Sequence, residues 1–158
     1  MPLRPATEAD LDTIIELIHA LAEYEREPEA VRLVPGELRR HLFGPRPYAE
    51  VILAETGEGA SAGFALFFHN FSTWEGKPGI YLEDLFVRPE FRGQGYGKAL
   101  LAELARLAVE RGCARLEWAV LDWNEPSIQF YRALGAAPMD EWTTYRLSGE
   151  ALATLARG

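Results

Sequence analysis

The chain has 158 residues, 48% of them apolar and 25% charged, with a net charge of −8. That is one domain's worth of chain, long enough for a full hydrophobic core. The acidity argues against nucleic acid as a partner and agrees with a cationic ligand, although it serves solubility equally well. No apolar run is long enough for a spanning helix, and Met1-Pro2-Leu3-Arg4-Pro5 lacks the apolar core of a signal peptide. A lone cysteine, Cys113, excludes an internal disulfide framework and reads as a structural thiol in a cytoplasmic protein.

In chain order, Thr7 stands as a cap before an apolar stripe of Leu11, Ile14, Ile15, Ile18 and Leu21, one face of a helix that fades near Arg26-Glu27-Pro28. A shorter helix is predicted over 35–43, with Pro35 placed early, where proline is tolerated. A strand over 49–55, a turn at Thr56-Gly57-Glu58-Gly59 and a strand over 62–71 follow. Residues 72–79 read as a loop carrying Trp74, and 80–87 as a further strand. A helix from 95 to about 111 presents Leu100, Leu101, Leu104, Leu107 and Ala108 on one side, with Gly112 past its end. A strand over 115–121, a helix over 125–134 closed by Gly135, one or two short strands within 139–147 and a terminal helix or tail over 148–156 complete the pass. No repeat, linker or low-complexity segment divides it, so 1–158 reads as a single α/β domain with a mixed, mostly antiparallel sheet flanked by helices.

The most informative stretch is Arg92-Gly93-Gln94-Gly95-Tyr96-Gly97, lying between a strand and a helix start. Glycines admit close approach of backbone to a phosphate, and the first N–H groups of the helix point at it. The spacing excludes a P-loop, because Arg92 stands where the first glycine belongs and Ala99 where the hydroxyl belongs. It also excludes a dinucleotide fingerprint, which from Gly93 or Gly95 ends on Lys98 or Leu100. It fits Arg/Gln-x-x-Gly-x-Gly/Ala.

That motif resembles the pyrophosphate loop of the GNAT acetyltransferases, and the order of elements matches their fold. Leu3-Arg4-Pro5-Ala6, Leu21-Ala22-Glu23-Tyr24-Glu25, Tyr81-Leu82-Glu83-Asp84-Leu85-Phe86-Val87 and Trp123-Asn124-Glu125-Pro126-Ser127-Ile128-Gln129-Phe130-Tyr131 resemble the spermidine/spermine (diamine) branch of that family. The resemblance implies acetyl-CoA as cosubstrate, no metal, a small primary amine as acceptor, and a homodimer. It places the diphosphate among Arg92, Gly93, Gln94, Gly95, Tyr96, Gly97 and Lys98, and the pantetheine arm along the backbone of Leu85, Phe86 and Val87. Asn124, Ser127 and Tyr131 would also contact CoA.

Acetyl transfer needs a deprotonated amine and a proton for the leaving thiolate. Glu83 is the candidate base, directly or through water, with a raised pKa expected in its apolar strand. Strict alternation would send Glu83 and Asp84 to opposite faces, and pattern alone leaves open which acid faces the site. Asp84 is read as substrate-proximal. Tyr131 is the candidate acid: its pKa of about 10 lies near a thiol's 8.5. Tyr24, Glu25 and Trp74 are candidates for holding the cation. One position departs from the branch: Ser72 stands where an aspartate precedes the loop tryptophan. His19, His41 and His69 share no spacing, and only His69 lies near the substrate loop. Trp118, Trp123 and Trp142 are expected in the core or a dimer interface. Two alternatives stay open, a protein or peptide N-acetyltransferase and a non-catalytic acyl-CoA-binding module.

Overall fold

A computed structural model describes residues 2–158. By internal contacts the chain divides into a unit ending at Ala119 and a unit spanning Val120–Gly158.

The first unit is built on five strands, β1 (Leu3–Pro5), β2 (Glu50–Glu55), β3 (Ser61–Ser72), β4 (Lys77–Val87) and β5 (Leu116–Trp118), lying side by side in chain order. Neighbours run antiparallel until the last pair, where β5 lies parallel to β4. A parallel pair needs a crossover, and α3 (Tyr96–Glu110) supplies it. On one face, Val51, Leu53, Phe64 and Phe86 of the sheet pack with Ile14, Leu17 and Leu21 of α1 (Leu11–Tyr24) and Leu42 of α2 (Pro35–Phe43). The opposite face meets α3, whose Leu100, Leu101 and Leu104 are buried. Each fully buried leucine of this kind contributes about 1.5–3 kcal/mol. Arg4 of β1 pairs with both Glu55 and Asp10 at 2.8 Å, tying the edge strand to the turn that starts α1.

Two irregularities in β4 decide what it can present. Leu66 of β3 faces Asp84 and Phe67 faces Leu82, so Glu83 is an extra residue without a cross-strand partner. Such a bulge breaks the strict alternation of side chains and re-aims them. Further along, β5 covers β4 only at Ile80, Tyr81 and Leu82. From Asp84 to Val87, β4 pairs with β3 on one side, and among the described residues no strand covers its other edge. Gly63, opposite Val87, fixes this end of the sheet: a Cβ there would lie 2.3 Å from the Phe86 carbonyl oxygen. Backbone cannot step aside as a flexible side chain can. Gly63→Ala is expected to cost about 1–3 kcal/mol, read as an earlier urea midpoint with unchanged slope.

The predicted elements over 35–43, 49–55, 62–71 and 95–111 are present within a residue or two of their expected ends. The predicted loop over 72–79 shrinks to residues 73–76, because β3 and β4 form one long hairpin. The strand expected over 115–121 is reduced to β5.

In the second unit, α4 (Glu125–Ala133) and α5 (Gly149–Ala156) flank an irregular segment. The strands expected over 139–147 are absent among the described residues. Short strands are stable only where an apolar face is covered, and here Met139, Trp142 and Tyr145 are 63%, 71% and 93% exposed. Trp123 and Trp142 are exposed and Trp118 is half-buried, so none of these tryptophans belongs to the buried core.

Candidate active site

The bulge gathers acids. With Glu83 displaced from the ladder, its charge acts on Asp84 in β4 and on Glu25 just past α1. Burial, then Glu83, then Glu25 push the Asp84 carboxyl up to about 6. Burial and then Glu83 push Glu25 up as well. The Tyr81 phenol is raised by burial, by Glu83 and by Glu117. Glu25, Glu83 and Asp84 therefore lie within electrostatic reach of one another, a concentration of negative charge suited to a cationic amine. Glu83 is exposed at the bulge, while its neighbour Asp84 is half-buried.

The glycine loop leads from the same end of β4 into α3. Gly93 and Gly95 adopt φ of +77° and +90°, which other residues rarely accept, and Gly95 is the N-cap of α3. The following N–H groups have no acceptor within the helix and carry its positive dipole end, as an anion site requires. Gly97 and the exposed Lys98 lie in that first turn, while Tyr96 is buried and packs edge-on to Phe91 at 6.2 Å. Gln94 turns back towards the Glu90 carbonyl. Arg92 does more than carry charge. Its Nε donates to the Val87 carbonyl at 2.9 Å, and its guanidinium lies 4.7 Å from the Tyr24 ring and 5.5 Å from Phe86.

Trp74 is not drawn to the acids. It stands at the hairpin tip, 90% exposed. Ser72 is buried and its Oγ accepts the Glu75 N–H at 3.2 Å, so its hydroxyl serves the turn. His69 sits beside Arg111, 3.3 Å from its guanidinium, and Arg111 is itself paired with Glu50. Among the described residues no group of three or more His, Cys, Asp or Glu side chains is placed to hold a metal ion. No described helix is long and apolar enough to cross a membrane.

In the second unit, Asn124 is buried and caps α4, its Oδ1 accepting the Ser127 N–H at 3.4 Å. Asn124, Ser127 and Tyr131 follow helical spacing and share one side of α4. Tyr131 is half-buried, its ring tilted against Phe130 at 5.7 Å.

An open β4 edge, an acid cluster and a glycine-opened helix are the features on which comparison with known proteins bears. A family model described as the acetyltransferase (GNAT) family matches residues 11–136. The chain belongs to the GNAT acetyltransferase family. The thialysine N-epsilon-acetyltransferase of Bos taurus is 40% identical over 98% of this chain and 96% of its own length. The human spermidine/spermine N(1)-acetyltransferase-like protein 1 is 30% identical over 98% of this chain, which spans 23% of that protein. Among solved structures, an integron cassette protein from the mobile metagenome of V. cholerae superposes with a TM-score of 0.81 at 26% identity, covering 99% of this chain and 98% of the other. The chain is thus an enzyme of the acetyltransferase class with the α/β fold expected of it, akin to the diamine branch, and acetyl-CoA is the family's cosubstrate.

Proposed function

We propose that this GNAT enzyme acetylates the terminal primary amine of a small cationic substrate, of thialysine or polyamine type, by direct attack on acetyl-CoA in a ternary complex. The observation that carries the reading is the cluster of Glu25, Glu83 and Asp84 beside the open edge of β4. The backbone of Leu85, Phe86 and Val87 on that edge suits the amides of pantetheine, as an added strand would. The loop Arg92, Gly93, Gln94, Gly95, Tyr96, Gly97 and Lys98 suits the diphosphate. Asn124 and Ser127 complete the CoA contacts.

The acids attract the ammonium and, for the same reason, hold its proton. A proton acceptor is therefore needed. Glu83, exposed at the bulge, takes this role directly or through a water, and Tyr131 returns a proton to the leaving thiolate. Tyr24, Glu25 and Asp84 hold the cation, with Trp74 at the mouth. A second reading makes Asp84 the acceptor. Its carboxyl near 6 favours that, because a base works best with a pKa close to the operating pH.

The match across residues 11–136 supports treating 1–158 as one catalytic domain. The single cysteine agrees with a cytoplasmic enzyme. The apolar side chains exposed over 139–147 support a homodimer. Neither nucleic acid nor membrane is proposed as a partner.

The test is CoA release from acetyl-CoA against thialysine, lysine, spermidine, spermine, putrescine and short peptides. Ser72 offers no carboxylate for a distal ammonium, so thialysine is expected to exceed spermidine in kcat/KM by about tenfold, the worth of one charged hydrogen bond. Turnover confined to peptides would replace the small-amine reading with a protein acetyltransferase. CoA binding with no turnover across the panel would leave an acyl-CoA-binding module.

A further inference from the structure

Arg92 lies on both halves of the site. Through the chain it belongs to the glycine loop, next to Gly93 with its φ of +77°. Through its side chain it belongs to the end of α1. Its Nε is fixed to the last carbonyl of β4, at Val87, and its guanidinium lies over the ring of Tyr24, the residue before Glu25. Among the described residues it forms no ion pair with a carboxylate, although Glu25, Glu83 and Asp84 cluster near the same end of α1 and β4. A cation seated on aromatic faces instead of on an acid keeps its charge available to an anion. Phe86 forms the second face of that seat and is itself buried in the sheet core.

We propose that Arg92 is a positioning residue that couples the amine site to the cofactor's diphosphate, through its seat on Tyr24. The inference rests on the amine-acetylating function proposed above. A diphosphate on the loop fixes the loop backbone and the guanidinium with it. The fixed guanidinium then holds the Tyr24 ring, and hence the Glu25 end of α1, in the arrangement the ammonium uses. Ordering that the amine would otherwise bring about is already in place, so the amine binds more tightly to the CoA-bound enzyme. Linkage requires the converse: the amine tightens CoA by the same factor.

Calorimetric titration of the full chain tests this, with thialysine as the amine and CoA in place of acetyl-CoA so that nothing turns over. Saturating CoA is expected to tighten thialysine binding about fivefold in the wild type. Tyr24→Phe keeps the ring and should keep the ratio. Tyr24→Leu and Arg92→Gln should bring the ratio close to one. CoA bound alone by Tyr24→Leu should stay within about twofold of wild type, which also establishes that this variant is folded. A merely structural contact would lower affinity for both ligands and leave the ratio untouched. An unchanged ratio in Tyr24→Leu, or a ratio of one in the wild type with measurable thialysine binding, overturns the coupling and leaves the proposed function standing. CoA binding with no thialysine binding, with or without CoA, removes the amine reading and the coupling together.

Discussion

Tyr131→Phe is expected to lower kcat by about a hundredfold to ten-thousandfold, the usual worth of a positioned general acid, while CoA affinity stays within about threefold. Thioester aminolysis ends with a thiolate leaving, and a phenol, whose ordinary pKa of about 10 lies near the thiol range, can donate to the thiolate as its charge develops. Phenylalanine keeps the ring and its contact with Phe130, so only the hydroxyl is lost. Single-turnover kinetics with preformed acetyl-CoA complex separate this from substrate binding. An unchanged rate would show that the thiolate leaves into water unaided. Glu83→Gln distinguishes the two readings of the base at the other end of the reaction. If Glu83 takes the amine proton, its kcat falls further than that of Asp84→Asn. The reverse order assigns the proton to Asp84.

The parts of the molecule legible in sequence are those governed by local rules. Leu11, Ile14, Ile15, Ile18 and Leu21 announce α1 because a helix brings every third or fourth residue to one side; of these Leu11, Ile14 and Leu21 are buried, joined by Leu17, which the stripe omits. Gly93 and Gly95 announce the loop because positive φ there demands glycine. The bulge at Glu83 has no such signature. It arises from the register of β3 against β4, and two adjacent acids in an apolar strand do not say which of them the ladder will skip. The burial of Asp84 and the seat of Arg92 on Tyr24 are likewise tertiary facts, each involving residues far apart in the chain. The segment 139–147 misled for the opposite reason. Its aromatic and threonine residues suit a strand, yet Tyr145 and Trp142 are exposed and, among the described residues, no strand pairs with it.

At pH 8, Asp84→Asn is expected to make the protein more stable and the enzyme worse. The carboxyl is raised from 3.8 to about 6, first by burial and then by Glu83 and Glu25. The folded chain therefore holds this proton more tightly than the unfolded chain does. The stability it contributes is fully present below the unfolded value and is lost as pH rises through about 6. A shift of this size corresponds to about 3 kcal/mol between a pH well below 3.8 and pH 8, an upper figure for a half-buried group. Asparagine carries no charge to desolvate. The variant should match the wild type near pH 4 and exceed it at pH 8 by about 2–3 kcal/mol, a rise in Tm of about 5–10 °C. Over the same interval the wild type's affinity for the ammonium should grow as Asp84 ionises, while the variant keeps only the contribution of Glu25 and Glu83. Paired Tm and amine-KM profiles from pH 5 to pH 8 read both effects. A stability gain with no loss of amine affinity would mean that Asp84 does not face the substrate. Equal stability at both ends of the range would mean that its carboxyl is not desolvated, and that the acid cluster is looser than its geometry indicates.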